Sequence, residues 1–196
     1  RQALQQLRQK IVAKFGRVNV LINNAALNPK VEGAAKSSST RSKFENFPTA
    51  DWEREMRINV TGVMLCCQIF GSVMSRGGSI INIASIYGLV APDQRLYSRG
   101  FIKPATYGAS KGAIIALTKY LASYWGGKGI RVNCLVPGGV FNGQNPAFVK
   151  RYAARAPLGR MAKPNEYNGI IIYLASDASS YSTGATFVVD GGWTAW

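Results

Sequence analysis

The chain of 196 residues contains no histidine. That absence removes every Ser-His-Asp and Cys-His mechanism and most zinc sites, so no metal ligand set is expected. Cysteine is scarce too: three residues, two of them adjacent (Cys66, Cys67), cannot build a disulfide framework. They read as small core residues of a protein in a reducing compartment, the cytoplasm. No apolar run reaches 18 residues and the opening segment is polar, so neither a membrane span nor a signal peptide is expected. Acidic residues number 9 against 24 basic ones, a net charge of +15. The basic residues are dispersed, with no run longer than two and no basic stripe interleaved with aromatics. Nucleic acid is therefore not the expected partner, whereas phosphate-bearing cofactors and anionic small molecules are attracted by such a field. An initiator Met is also lacking, and the chain opens inside an amphipathic pattern (Leu4, Leu7, Ile11, Val12, Phe15). The expectation is that the natural N-terminus lies upstream.

What is present is a phenol and an ammonium four residues apart, in Tyr107-Gly108-Ala109-Ser110-Lys111. The apolar segment that follows reads as a helix, which puts Tyr107 and Lys111 on one face. A cation near a phenol favours phenolate and is expected to lower the Tyr107 pKa toward the working range of a general acid/base. A second pair at this spacing, Tyr124 and Lys128, has Gly126 and Gly127 between its members and does not read as continuous helix. Tyr107 is singled out by its company.

Helix and strand signals alternate along the chain. Residues 2–15 read as a helix ended by Gly16, and residues 19–24 as a short buried strand. Residues 28–48 read as a polar, mobile loop. A long helix is expected from Thr49, as N-cap, to about Ser75. Strands follow at 78–85 and 130–136, with a long loop at 86–104 and the Tyr107 helix between them. Helical stretches near 146–155 and 165–175 precede a last strand from Ala185. Continuous apolar strands separated by helices imply a doubly wound α/β fold with a parallel, Rossmann-like sheet. At 47% hydrophobic residues and with no internal repeat, residues 1–196 read as one domain.

Three strand ends carry polar or glycine-containing turns: Asn23-Asn24-Ala25-Ala26, Ala84-Ser85 and Pro137-Gly138-Gly139. In open α/β sheets ligands bind beyond the carboxyl ends of the strands, so these turns should line one crevice faced by Tyr107 and Lys111. Taken in order with Ile58-Asn59-Val60 and the terminal Asp190-Gly191-Gly192, these segments resemble a short-chain dehydrogenase/reductase over essentially the whole chain. The resemblance implies an oxidoreductase with an Asn59-Ser85-Tyr107-Lys111 tetrad and a bound NAD or NADP. Tyr107 would exchange a proton with the substrate oxygen. Lys111 would lower its pKa and hold the nicotinamide ribose. Ser85 would polarise the substrate carbonyl, and Asn59 would hold a water linking Lys111 to solvent. Asn24, Ala25 and Ala26 match the segment beside the adenosine ribose; Pro137, Gly138 and Val140 match the nicotinamide turn. It also implies a homodimer or homotetramer joined through the two long helices.

The departures are as informative. The family's first strands and its glycine-rich pyrophosphate turn are missing, so the domain reads as partial and the choice between NAD and NADP is not encoded in these residues. Asn142 stands where the family often has Thr. The Ser85–Tyr107 interval exceeds the family's usual one by about nine residues; Tyr97 sits nearer that interval, but Phe101 denies it a lysine partner. The extra residues read as a loop over the substrate site whose polar content favours a hydroxyl-rich or anionic small molecule. The segment 86–94 and the tail 191–196 resemble family members known as gluconate dehydrogenases or associated with surface-sugar biosynthesis. A 3-oxoacyl thioester reductase is the alternative enzyme, and an inactive fragment or interaction module the alternative of another class.

Overall fold

A computed structural model describes residues 1–28, 43–98 and 100–196. Most of the polar loop expected at residues 28–48, and Arg99, lie outside the described residues. Helix α1 (Gln2–Phe15) ends on Gly16, whose φ of 76° is the left-handed turn that glycine adopts without strain. Strand β1 (Val20–Asn23) follows. Helix α2 (Thr49–Met56) continues without a break through a π-helical turn (Arg57–Thr61), an α-helical turn (Gly62–Cys66) and a second π-helical turn (Cys67–Gly71). Thr49 is the first helical residue and not the cap: Pro48 holds the extended cap position, and no side chain caps the helix. The helix also stops before residue 75. A side chain at Gly71, the last helical residue, would run into the indole of Trp125, so only glycine fits there.

Strand β2 (Ser79–Ile83), helix α3 (Ala105–Gly126), strand β3 (Arg131–Pro137), helix α4 (Pro146–Ala153), helix α5 (Asn168–Ala175) and strand β4 (Thr186–Val189) complete the regular elements. The four strands pair in parallel, in the order β1-β2-β3-β4. Side chains of β2 alternate between faces. Asn82 turns to one face, donating to Thr118 Oγ1 of α3 at 2.9 Å; Ser79 turns to the other, donating to Leu174 O of α5 at 2.7 Å. Helices thus cover both faces, which is why Ile80, Ile81, Val132 and Val136 are all buried.

A buried polar chain ties β1 to this frame. Asn23 Nδ2 donates to Asn82 Oδ1 at 2.8 Å, Asn82 passes to Thr118, and Thr118 Oγ1 donates to Ile114 O at 2.8 Å. Each group is satisfied by the next, so burial carries no desolvation penalty for an unpaired amide. Asn23, read from sequence as part of a turn, is in fact this internal strut. Cys67 joins it and Cys134 is buried; the three cysteines described are free thiols. No helix among the described residues is long and apolar enough to cross a membrane.

Candidate active site

The carboxyl ends of β1, β2 and β3 open into a cleft of about 520 Å³. Asn24, Ala26, Ser85, Tyr107, Lys111, Pro137, Gly138 and Val140 all line it, as the strand-end turns predict. Ala25 does not, and Asn59 lies behind the wall, 2% exposed. Its amide pairs both ways with the backbone of Leu27: Oδ1 accepts from Leu27 N at 2.7 Å and Nδ2 donates to Leu27 O at 3.0 Å. Nδ2 also reaches Ser110 Oγ at 3.2 Å. Asn59 sits in the first π-helical turn of α2, a local widening that recurs at functional sites. From there it pins the segment after β1 against α3.

Tyr107 is the third residue of α3, and Lys111 lies one turn on. Lys111 Nζ donates to Ile83 O at 2.8 Å, at the end of β2, and stands 5.8 Å from the centre of the Tyr107 ring. Ser85 follows two residues after Ile83, in extended backbone, with its hydroxyl accepting from Tyr87 N at 3.2 Å. The turn it caps lies directly on α3. A Cβ at Gly88 would stand 2.7 Å from the Lys111 carbonyl carbon, so only glycine lets the Ser85 turn approach the helix this closely. Gly138 does the same for the Pro137 turn, where a Cβ would meet Asp190 Cα at 2.7 Å.

The electrostatics correct one expectation. Burial pushes the Tyr107 phenol up, with a hydrogen bond from Ser85 pulling it back, so its net shift is opposite to the lowering expected from Lys111. The same burial brings Lys111 down to about 8. Desolvation disfavours whichever form is charged, which drives the phenol up and the ammonium down, so the lysine gives up its proton before the phenol does. Tyr97 is settled by packing: it is buried among Phe101 and Phe148, its hydroxyl donates to Tyr87 at 3.0 Å, and burial drives its pKa up.

Sequence reading passed over Lys103 as one polar residue of a loop. It is buried, lines the cleft, and stacks its Nζ 4.3 Å from the Tyr107 ring centre. Its position four residues before Tyr107, mirroring Lys111 four after, was the available signal. The long loop before α3 forms single helical turns at Ile86–Gly88 and Gln94–Leu96 and is fastened at several points. Arg155, just beyond α4, pairs with Asp93, and Arg151 Nε donates to Leu96 O at 2.8 Å. Tyr87 packs edge-on to both Tyr107 and Trp193. Together these residues wall a recess that holds the Ser85 hydroxyl, the Tyr107 phenol and two ammonium groups, with Tyr87, Tyr97 and Tyr152 in its lining. Such a set can donate a proton to, and polarise, a carbonyl oxygen.

A family model described as enoyl-(acyl carrier protein) reductase matches residues 1–194. The chain is 33% identical over 202 residues to the D-threitol dehydrogenase of Mycolicibacterium smegmatis, covering 98% of this chain and 69% of that one. It superposes on a short-chain dehydrogenase from Leptospira borgpetersenii with bound NAD+ with a TM-score of 0.84 at 31% identity, covering 97% and 70% of the two chains. A gluconate 5-dehydrogenase from Burkholderia cenocepacia in complex with NADP and tartrate gives a TM-score of 0.82 at 29% identity, covering 98% and 71%. The chain spans 32% of the length of one curated relative it matches and 72% of another. The match runs through every strand end that builds the cleft, and the chain belongs to the short-chain dehydrogenase/reductase family.

Proposed function

We propose that this protein is an NAD(P)-dependent oxidoreductase that interconverts a secondary alcohol and a ketone, acting on a sugar or polyol. The observation that carries the reading is the convergence of Ser85, Tyr107 and Lys111 on one cleft at the carboxyl ends of parallel strands. The nicotinamide half of the cofactor fits the residues present. Lys111 keeps two further N–H donors beyond the one given to Ile83, and the turn from Pro137 to Val140 lines the same wall. Asn24 and Ala26 extend that wall toward the adenosine side. When bound, the cofactor supplies or accepts the hydride.

In the reducing direction Tyr107 gives its phenolic proton to the substrate oxygen. The raised pKa of that phenol keeps the proton in place until the oxygen becomes basic. Ser85 donates a hydrogen bond to the same oxygen and polarises the carbonyl. Lys111 stabilises the phenolate that remains and orients the ribose. Asn59 acts as a positioning residue, holding Leu27 and the wall around it. In the oxidising direction the phenolate takes the proton back.

The sugar or polyol reading is supported by the polar lining (Asn24, Asn28, Asn142, Gln144 and Lys103) and by the names of the threitol and gluconate enzymes it resembles. The acyl wording of the family model keeps a 3-oxoacyl thioester reductase as the second reading. Association through α2 and α3 into a homodimer or homotetramer is the oligomeric state we favour, and the free thiols favour the cytoplasm. The test is kcat/KM with NADH and NADPH for a polyol and sugar panel and for 3-oxoacyl thioesters, on the protein as the gene encodes it. Tyr107→Phe is expected to lower turnover by about 10²–10⁴, with Tyr97→Phe near wild type. Near-normal turnover of Tyr107→Phe would overturn the assignment, and preference for the thioester would overturn the substrate.

A further inference from the structure

The charged groups lining the cleft are two lysines, with no carboxylate among the described residues that face it. Lys111 is accounted for by Ile83 and the nicotinamide ribose. Lys103 is not. It lies closer to the Tyr107 ring than Lys111 does, 4.3 Å against 5.8 Å from the ring centre, at the end of the loop before α3, and it is 5% exposed. Burying an ammonium is costly unless it is paired. Among the described residues its hydrogen-bond partner is a neutral one, Asn28 Oδ1. The nearest influential acid, Glu55, lies beyond ion-pair distance; burial raises its own pKa, and its Oε2 has no hydrogen-bond partner. Glu55 therefore acts on Lys103 as a charge at a distance and makes no bond to it. Lys103 itself is brought down to about 8 by desolvation, which leaves it charged at neutral pH but short of an anion.

The lysine is also held in place. Gln94 clamps its backbone in both directions, Oε1 accepting from Lys103 N at 2.9 Å and Nε2 donating to Lys103 O at 3.3 Å. Pro104 follows it as the N-cap of α3, so the residue cannot be drawn into the helix. An ammonium fixed beside the phenol, desolvated and without a facing carboxylate among the described residues, is arranged to receive one.

We propose that Lys103 binds a carboxylate of the substrate, and that the substrate is a polyhydroxy acid whose carboxylate lies within a few carbons of the reacting carbinol. This rests on the sugar or polyol reading above and narrows it. A carboxylate suits the site better than a phosphoryl group, because one ammonium and one amide offer few donors for a dianion that usually draws arginines or a helix N-terminus.

The test compares kcat/KM for a six-carbon aldonate and for the alditol of the same skeleton, in wild type, Lys103→Met and Lys103→Arg. Wild type is expected to prefer the aldonate. Lys103→Met should lower kcat/KM for the aldonate about 100-fold, mainly through KM, since losing one charge-assisted contact in a dry site has that scale. The alditol should lose much less, so that the aldonate-to-alditol preference falls at least tenfold, and Lys103→Arg should keep most of the aldonate preference. Equal losses on both substrates mark a structural lysine and overturn the proposal, as does an unchanged aldonate rate. Should Lys103→Met not fold, Lys103→Gln carries the same comparison. If neither compound turns over, the functional reading fails, and calorimetric titration with the aldonate decides this inference separately. Binding by wild type that Lys103→Met weakens at least tenfold upholds it; no binding, or equal binding by both, overturns it.

Discussion

Lys111 Nζ donates to the carbonyl of Ile83 at 2.8 Å, so the ammonium beside the phenol is anchored to the strand that presents Ser85. The contact joins α3 to β2 at the one place where both contribute a catalytic candidate. It also sets the pH behaviour. Burial brings Lys111 to about 8 while it pushes Tyr107 up, so as pH rises the lysine loses its proton first. Ketone reduction needs the Tyr107 proton and the Lys111 charge. Its kcat/KM should be level below about pH 7 and fall through about 8, and Lys111→Arg should move the fall upward because guanidinium stays charged. Lys103, also near 8, is the competing group, and Cys134 behind Lys111 is pushed up to about 11. A fall that stays put in Lys111→Arg and vanishes in Lys103→Met would assign it to Lys103 instead. On stability the sign is equally definite. A lysine depressed from 10.5 to about 8 contributes stability present above 10.5 and lost as pH falls through 8, a dependence that Lys111→Met should cut to the share Lys103 contributes.

Gly88 offers a packing test of the same geometry. A Cβ there meets backbone on α3, the Lys111 carbonyl carbon at 2.7 Å and oxygen at 2.9 Å, and backbone cannot rotate away. Gly88→Ala should cost about 1–3 kcal/mol in chemical denaturation. Activity should fall further than stability, because the displaced groups are the Ser85 turn and Lys111. A variant as active as wild type would show that the turn has slack the structure does not display.

Much of this arrangement was legible beforehand, and the exceptions share a cause. The helical spacing of Tyr107 and Lys111 is local, and so is the continuous apolar run that marks β2 and β3 as buried in a parallel sheet. Ser85 and the Pro137 turn follow from position at strand ends. What escaped depends on distant partners. Lys103 acquires its meaning from Asn28, 75 residues away, and Asn23 from Asn82, 59 away. The need for glycine at position 71 comes from Trp125 on another helix. The direction of the Tyr107 shift was misjudged because sequence shows the neighbouring cation but not the depth of burial. The cap at Pro48 is the exception: a proline with φ of −67° starts the helix without any side-chain bond, and Thr49 only looks like the better residue.

Association is open to a direct test on α3. Tyr120 and Tyr124 lie 64% and 61% exposed, stacked nearly parallel at 6.1 Å, on a helix whose other face is packed into the core. Two adjacent exposed aromatics on an apolar helix are an interface signal. Sedimentation should give a dimer or tetramer at micromolar concentration, and Tyr120→Glu with Tyr124→Glu should lower the mass toward the monomer. A monomeric wild type, or an unchanged mass in the double variant, refutes helix-to-helix association through this face.

The last prediction concerns what holds the loop over the cleft. Asp93 begins the turn Gln94–Leu96, receives Arg95 at 2.9 Å through two nitrogens, and pairs with Arg155 beyond α4. Arg155 in turn stacks its guanidinium 5.3 Å from the Trp193 ring, and Trp193 contacts Tyr87 beside Tyr107. Arg95, largely exposed, is screened and adds little; the Arg155 pair is the one that joins two elements. Arg95 first, then Arg155, hold the Asp93 carboxyl at about 2. Its contribution is therefore present above 3.8 and lost only as pH falls through about 2, so the latch stays closed across any physiological range. A double-mutant cycle on Asp93→Asn and Arg155→Gln should return a coupling of about 0.5–1 kcal/mol at low salt, shrinking in high salt. Either single variant should raise KM for the substrate about threefold with kcat nearly intact, a loss of uniform binding that leaves the chemistry at Tyr107 unchanged. Zero coupling at low salt, or a fall in kcat without a rise in KM, would mean that the pair is incidental and that Gln94 and Arg151 alone hold the loop.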